Sequence, residues 1–349
     1  MAGDNGYTVG SLFAGIGGIC QGFIDAGFRI SWANDFDKHA QKTYEANFSH
    51  TFIPGDIHEL NPKDFDKVDI ITSGFPCQAF SIAGYQKGFR DSRGNLFFET
   101  ARFINELKPK AILLENVKNL VSHDEGNTFR KIKEYIEKES KYSFIPMILN
   151  TMEYGNLPQT RERIYIVGFK DEADFLNPTS KAIHSVYYHP ISKIPLTKTV
   201  KGDILLKGKV DDRYYYTKKS RYYKILKESM KSKNTVYQWR RVYLRENKSN
   251  VCPTLTANMG TGGHNVPLVL DDYGMRKLTP RECARLQGFS DNFVLPEISN
   301  SHLYKQIGNS VSVPVVRRIA QQIAQALDLK YENKPAEEIR PIERQYEFV

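Results

Sequence analysis

The chain has 349 residues, with 49 Lys and Arg against 40 Asp and Glu and a formal charge of +9, enough length for one large core and a second, smaller unit. Its four cysteines, at positions 20, 77, 252 and 283, stand too far apart for a disulfide framework or a zinc site, and its first residues lack the basic and apolar blocks of a signal peptide. No apolar run approaches the ~18 residues of a membrane span, so a soluble, cytoplasmic protein without a metal is expected.

In chain order, the first 170 residues alternate short β-like runs with helical ones, the pattern of a doubly wound α/β domain with a mostly parallel sheet. Strands are expected at 8–13, 28–34, 51–57, 68–75, 111–117, 144–150 and 163–169. Helices are expected at 18–26 with Gly27 as its C-cap, then at 38–47, 96–107 and 128–139. From about 171 to 273 periodicity fades. The clearest features there are a strand over 241–244 and a glycine-rich loop over 259–263, which predicts a separate, mainly β or irregular unit. Thr279, Pro280 and Glu282 form a capping-box signal for a helix. Residues 313–327 read as a last amphipathic helix that returns to the first half, and the charged tail after Leu329 is peripheral.

Charge is uneven along the chain. Residues 181–250 hold 18 Lys and Arg against 5 Asp and Glu, a local balance of +13 that leaves the remainder at −4. A lysine-rich solvated face would give the same count. Nine tyrosines and Trp239 are interleaved with that charge, however, and the mixture suits stacking and phosphate contact with a polyanion.

Four groups of residues carry chemistry. Phe13-Ala14-Gly15-Ile16-Gly17-Gly18 joins the first strand to the first helix, where glycines let backbone approach a ligand. Such a turn alone is a weak signal. Asp35 ends the second strand, where it can accept ribose hydroxyls, and Asp56 follows the third, where it can hold an adenine amino group. Since no phosphate-binding lysine follows and the spacing is not Gly-x-Gly-x-x-Gly, S-adenosylmethionine is preferred to NAD or ATP. Cys77, after Pro76 in a polar loop with Gln78 and Ser81, has the partly exposed setting of a reactive thiol, whereas Cys20, Cys252 and Cys283 read as buried hydrophobes. Glu115 closes an apolar strand and is placed to bind a ligand at the same sheet edge. Arg161 and Arg163 fall on one face of a strand by two-residue alternation and suit a pocket that grips a heterocycle and its phosphate.

Together these residues resemble the DNA (cytosine-5) methyltransferase family, bacterial or phage site-specific type. The resemblance runs in family order through 13–18, Gly74-Phe75-Pro76-Cys77-Gln78, Glu115-Asn116-Val117, Gln159-Thr160-Arg161-Glu162-Arg163, residues 276–289 and Gly308-Asn309-Ser310-Val311. It implies that Cys77 attacks carbon 6 of a flipped cytosine in double-stranded DNA, that Glu115 binds ring nitrogen 3 and the exocyclic amine, and that Arg163 holds the base carbonyl. Arg161 would steady the loop or a phosphate near Cys77. The same resemblance places Phe13, Gly15, Gly17, Asp35, Phe36, Asp56, Ile57, Pro76, Leu96, Asn309 and Ser310 around S-adenosylmethionine, with Phe36 stacked on adenine. Gln78, Ser81, Arg240, Arg241 and Thr254 would contact DNA.

The implied domains are a catalytic and cofactor-binding unit at 1–170 plus 310–330, target recognition at 171–275, a motif-bearing return segment at 276–309 and a tail at 331–349, in a protein expected to be monomeric. A tRNA cytosine-5 methyltransferase and a catalytically silent DNA-binding protein are the alternatives. The first is disfavoured because the variable region has no Cys-Phe-Thr element, the second because binding alone does not demand Cys77, Glu115 and Arg163.

Overall fold

The computed structural model describes residues 4–76, 96–170, 188–240, 243–247, 249–261 and 265–328. Cys77, Gln78, Ser81 and Arg241 lie outside the described residues.

Eight strands are met in the first half: β1 Thr8–Leu12, β2 Arg29–Asp35, β3 Thr51–Pro54, β4 Ile70–Ser73, β5 Ala111–Val117, β6 Ile145–Asn150, β7 Gln159–Thr160 and β8 Glu162–Phe169. Seven form one sheet in the order β3-β2-β1-β4-β5-β8-β6. The first five are parallel, whereas β8 runs antiparallel between β5 and β6. The doubly wound, mostly parallel sheet expected from the alternating pattern is therefore present. The order reverses between β1 and β4, and ligands of such sheets bind at this crevice, beyond the carboxyl ends of the strands.

Helices cover both faces, which is why β4 and β5 are apolar without alternation. Among them are α1 Gly18–Ile24, α2 Lys38–Glu45, α3 Leu96–Leu107 and α4 Asn127–Glu134, with a single turn, Thr151–Tyr154, after β6. On one face Ile71, Ile112, Leu114 and Ile166 pack with Phe97, Phe103 and Ile132 from α3 and α4. The first helix stops two residues earlier than expected, at Ile24, and Gly27 (φ 90°) makes the left-handed turn into β2. Similarly β3 ends at Pro54, so Asp56 and Ile57 sit past the strand rather than at its end.

The later chain builds a second sheet around the short helix α5, Tyr223–Ser229. Its strands are β9 Val236–Arg240, β10 Tyr243–Asn247, β12 Leu268–Leu270 and β13 Met275–Lys277, in the antiparallel order β10-β9-β12-β13. The single strand expected over 241–244 is instead a pair, with Tyr243 opposite Arg240; alternation of Tyr and Arg marks both members equally. Position 275, the expected domain boundary, begins β13. Between these strands β11, Cys252–Pro253, pairs in parallel with β7 and ties the second half to the first.

Three helices complete the chain: α6 Pro280–Gln287, α7 Asn300–Asn309 and α8 Val313–Asp328. The capping box on α6 forms as expected, with Thr279 accepting from the Glu282 amide and Glu282 from that of Thr279. On the other face of the first sheet, α8 lies beside α1: Val315, Val316, Ile319 and Ile323 join Val9, Phe23, Leu113 and Val167 in one core. Gly22 allows this approach, because a Cβ there would meet Val316 at 2.6 Å.

Candidate active site

Register brings Glu115 and Arg163 together. In the antiparallel β5–β8 pair, Glu115 faces Tyr165 and Val117 faces Arg163, so Glu115 and Arg163 are diagonal neighbours on one face. Their side chains form an ion pair, Arg163 Nε to Glu115 Oε1 at 3.3 Å. Glu115 is only 8% exposed. Burial pushes its carboxyl up from the usual range, against the pull of Arg163 and then Arg161.

The end of β4 reaches the same spot. A Cβ on Gly74 would lie 3.6 Å from Glu115 Oε2, and Asn116 Nδ2 donates to the Phe75 carbonyl at 2.8 Å. The chain thus enters the 77–95 segment, which begins with Cys77, beside the carboxylate. Pro76 is exposed there, and Leu96 is half-buried where α3 begins.

Arg161 lies just before β8, and its charge acts on both Glu115 and Arg163. Strand β8 starts at Glu162, and Arg161 is 1% exposed. Its Nη1 donates to the Leu255 carbonyl at 2.7 Å, and its Nη2 to the carbonyls of Gly308, at 3.3 Å, and Ser310. Interior main chain, rather than a base or phosphate, occupies its donors.

The glycine turn after β1 has the shape of a cradle. Phe13, Gly15 and Gly17 have φ of 53°, 56° and 86°. A Cβ on Gly15 would meet nothing within 4 Å, whereas one on Gly17 would run into Phe48. Asp35 accepts the Gly15 amide on Oδ2 at 2.8 Å and the Asp37 amide on Oδ1 at 2.9 Å. This carboxylate shapes the turn, and each oxygen retains a lone pair for a hydroxyl. Burial raises its pKa, while those amides oppose the shift. Next to it Phe36 leaves 69% of its surface exposed, a flat apolar face at the mouth of the crevice.

Asp56 is exposed and hydrogen-bonded to the His58 amide and ring, and the amide bond in particular lowers its pKa. Ile57 is buried among Trp32, Phe65 and Phe103. From the far end of the chain, Asn309 is exposed and Ser310 packs against α1, where no Cβ fits on Gly18. The Ser310 hydroxyl is buried with no partner among the described residues. An open glycine turn, a carboxylate with free lone pairs, a bare aromatic ring and an orphaned hydroxyl fit an S-adenosyl nucleoside. Among the described residues no cluster of His, Cys, Asp or Glu has the makings of a metal site, and no helix is long and apolar enough to cross a membrane.

A cleft of about 600 Å³ lies beside the second sheet, lined by Arg240, Arg245, Gln238, Thr254, Thr256 and Asn258 among others. Pairing puts Gln238 opposite Arg245, so the polar side chains share one face of the β9–β10 pair, while Tyr237, Trp239 and Leu244 pack on the other. Thr254 lines the cleft, and its hydroxyl donates to the Thr160 carbonyl.

Some contributors escaped the sequence reading. Gln159 and Gln287, both within recognised motifs, are buried hydrogen-bonding centres. Arg276 makes a two-pronged ion pair with Glu282, at 2.8 Å on each prong, inside the junction of the second sheet with α6.

Residues 7–325 match the C-5 cytosine-specific DNA methylase family; the chain belongs to that family and is a DNA cytosine-5 methyltransferase. It is similar to the type II methyltransferase M.Bsp6I of Bacillus sp. (strain RFL6), 53% identical over 91% of this chain and 99% of that protein. It is also similar to M.SsoII of Shigella sonnei, 41% identical over 93% and 82%, and to M.HhaI of Haemophilus parahaemolyticus, 38% identical over 91% and 94%. Among solved structures, a DNMT2 mutant from Spodoptera frugiperda superposes with a TM-score of 0.66 over 91% of this chain and 99% of that one. At 21% identity it bears on the fold alone.

Proposed function

We propose that the protein is the modification enzyme of a type II restriction-modification pair, acting in the bacterial cytoplasm as a monomer that methylates one cytosine in a fixed double-stranded sequence. The observation that carries the site assignment is the Glu115–Arg163 pair beside Gly74, at the carboxyl ends of the two strands that frame the segment bearing Cys77. The 53% identity to a type II methyltransferase across nearly its whole length favours DNA over tRNA as substrate.

Carbon 6 of a stacked cytosine is shielded, so the base must leave the helix at a cost of a few kcal/mol, to order of magnitude. In this reading the Cys77 thiolate adds to carbon 6 and the ring electrons shift toward carbon 5 and nitrogen 3. Glu115, whose burial favours the protonated acid, donates to nitrogen 3, and Arg163 holds both that carboxyl and the base carbonyl. S-adenosylmethionine held in the cradle would supply the methyl group that carbon 5 takes, its S–CH3 bond breaking to leave S-adenosylhomocysteine. Loss of the carbon 5 proton to a base then restores the double bond and expels Cys77. Phe13, Gly15, Gly17, Asp35, Phe36 and Ser310 form the nucleoside cradle; Arg240, Thr254 and Arg245 face the DNA.

Bisulfite sequencing of plasmid DNA from cells expressing the protein tests the reading: one protected cytosine context is expected, and it should vanish with Cys77→Ser. Unprotected plasmid from the wild type would refute it.

A further inference from the structure

Gln159, Arg161 and Gln287 form a fully buried polar block whose partners come from distant parts of the chain. Gln159 donates to the Leu286 carbonyl at 2.8 Å and accepts the Leu255 amide at 3.0 Å. Arg161 takes the Leu255 carbonyl at 2.7 Å together with those of Gly308 and Ser310. Gln287 donates to the Ile307 carbonyl at 2.8 Å. Both main-chain polar groups of Leu255 are therefore held by side chains of a single short segment. Leu255 lies between Thr254 and Thr256, which line the cleft beside the second sheet. Ser310 lies against Gly18 in the glycine cradle. The contact between the two stretches is also direct, because Gly308 abuts the Thr256 main chain too closely for any Cβ.

We propose that this block couples the two binding events, making occupancy of the recognition cleft and of the cofactor cradle mutually dependent, with Arg161 as the positioning residue at its centre. The proposal rests on the reading of the cleft as the DNA site and of the cradle as the S-adenosylmethionine site. A guanidinium is a rigid planar fork, so a shift of the Leu255 carbonyl when DNA seats on Thr254 and Thr256 is passed to the Ser310 carbonyl rather than absorbed by a flexible stem. Among the described residues the guanidinium of Arg161 hydrogen-bonds only these two stretches. By linkage, DNA must then change cofactor affinity by the same factor as cofactor changes DNA affinity.

The test is calorimetric titration of S-adenosylhomocysteine into the full-length protein, alone and saturated with a duplex carrying the sequence mapped by bisulfite sequencing. The proteins are the wild type, Arg161→Lys and Gln287→Met, the last keeping both volume and Arg161. In the wild type the duplex should tighten binding by roughly 5- to 150-fold, the usual range of coupling between sites. In Arg161→Lys that ratio should fall toward one, by more than either separate affinity changes, and in Gln287→Met it should fall part of the way. A wild-type ratio of one, or variants that keep the wild-type ratio, would overturn the coupling. If Arg161→Lys does not fold, an unchanged ratio in Gln287→Met overturns it alone. Methylation with a ratio of one sinks only the coupling, whereas a wild type that methylates nothing sinks the functional reading as well.

Discussion

Asn116 reaches across from the end of β5 to hold the carbonyl of Phe75 at 2.8 Å, so the neighbour of Glu115 fixes where the chain leaves β4. Both residues are buried, at 3% exposure each. Asn116→Leu leaves that carbonyl unpaired and should cost about 1–3 kcal/mol. It should also lower kcat more than it raises KM for the cofactor, since the reacting loop rather than the cradle loses its anchor. Chemical denaturation and steady-state kinetics measure both, and a KM effect alone would argue against the anchoring role.

Glu115→Gln keeps the shape but not the proton. Positioned acids contribute about 10²- to 10⁴-fold, and a loss in that range is expected with cofactor binding intact. The stability profile is a second readout. Burial raises the Glu115 carboxyl, so from the ordinary carboxylate range up to the raised value the folded state holds a proton that the unfolded state has released. Stability from this group therefore falls as pH rises through that window. Urea denaturation at a series of pH values should show the wild type losing ground to Glu115→Gln there; parallel profiles would contradict the shift.

Gly15 has room for a side chain but not the backbone for one. At φ 56° with nothing within 4 Å of its Cβ position, Gly15→Ala should cost about 1–2 kcal/mol of backbone strain. Because the methyl would point into open space over the cradle, cofactor affinity should fall at least about tenfold, or 1.4 kcal/mol. Thermal melts and titration with S-adenosylhomocysteine separate the two effects. Full affinity in a folded variant would move the cofactor elsewhere.

Arg240 and Arg245 share the cleft face of the β9–β10 pair. If either reads a base, its replacement by Ala should cost about 1–3 kcal/mol and relax selectivity at one position of the target; a phosphate contact would weaken all sequences alike and reduce the salt slope by about one. Methylation of a randomised duplex library at two salt concentrations assigns each arginine. No change in either quantity would exclude both roles.

The strand and helix order of the first half is legible in the sequence because unbroken apolar runs such as Ala111-Ile112-Leu113-Leu114 have few alternatives when helices cover both faces. Glu115 stood out as a charge closing such a run. Arg161 is legible as part of its motif, but its hold on the carbonyls of Leu255, Gly308 and Ser310 joins stretches far along the chain that no local pattern encodes. The β9–β10 pair was hidden because its strands are short and polar on one face, while α7 carries a mixed, weakly apolar sequence, Asn300–Asn309, stabilised by contacts far along the chain. The roles of Gln159 and Gln287 depend on which carbonyls lie within 3 Å, and no local pattern encodes that.

The packing of α8 on α1 has a consequence for the order of events at the ribosome. Val9, Phe23, Leu113 and Val167 are made early, yet their cover of Val315, Val316, Ile319 and Ile323 is made only after the whole central region. At roughly 5–20 residues per second, the nascent sheet waits many seconds with one oily face bare while the whole central region is translated. The first sheet can therefore reach the packing of the folded protein only after α8 has left the exit tunnel.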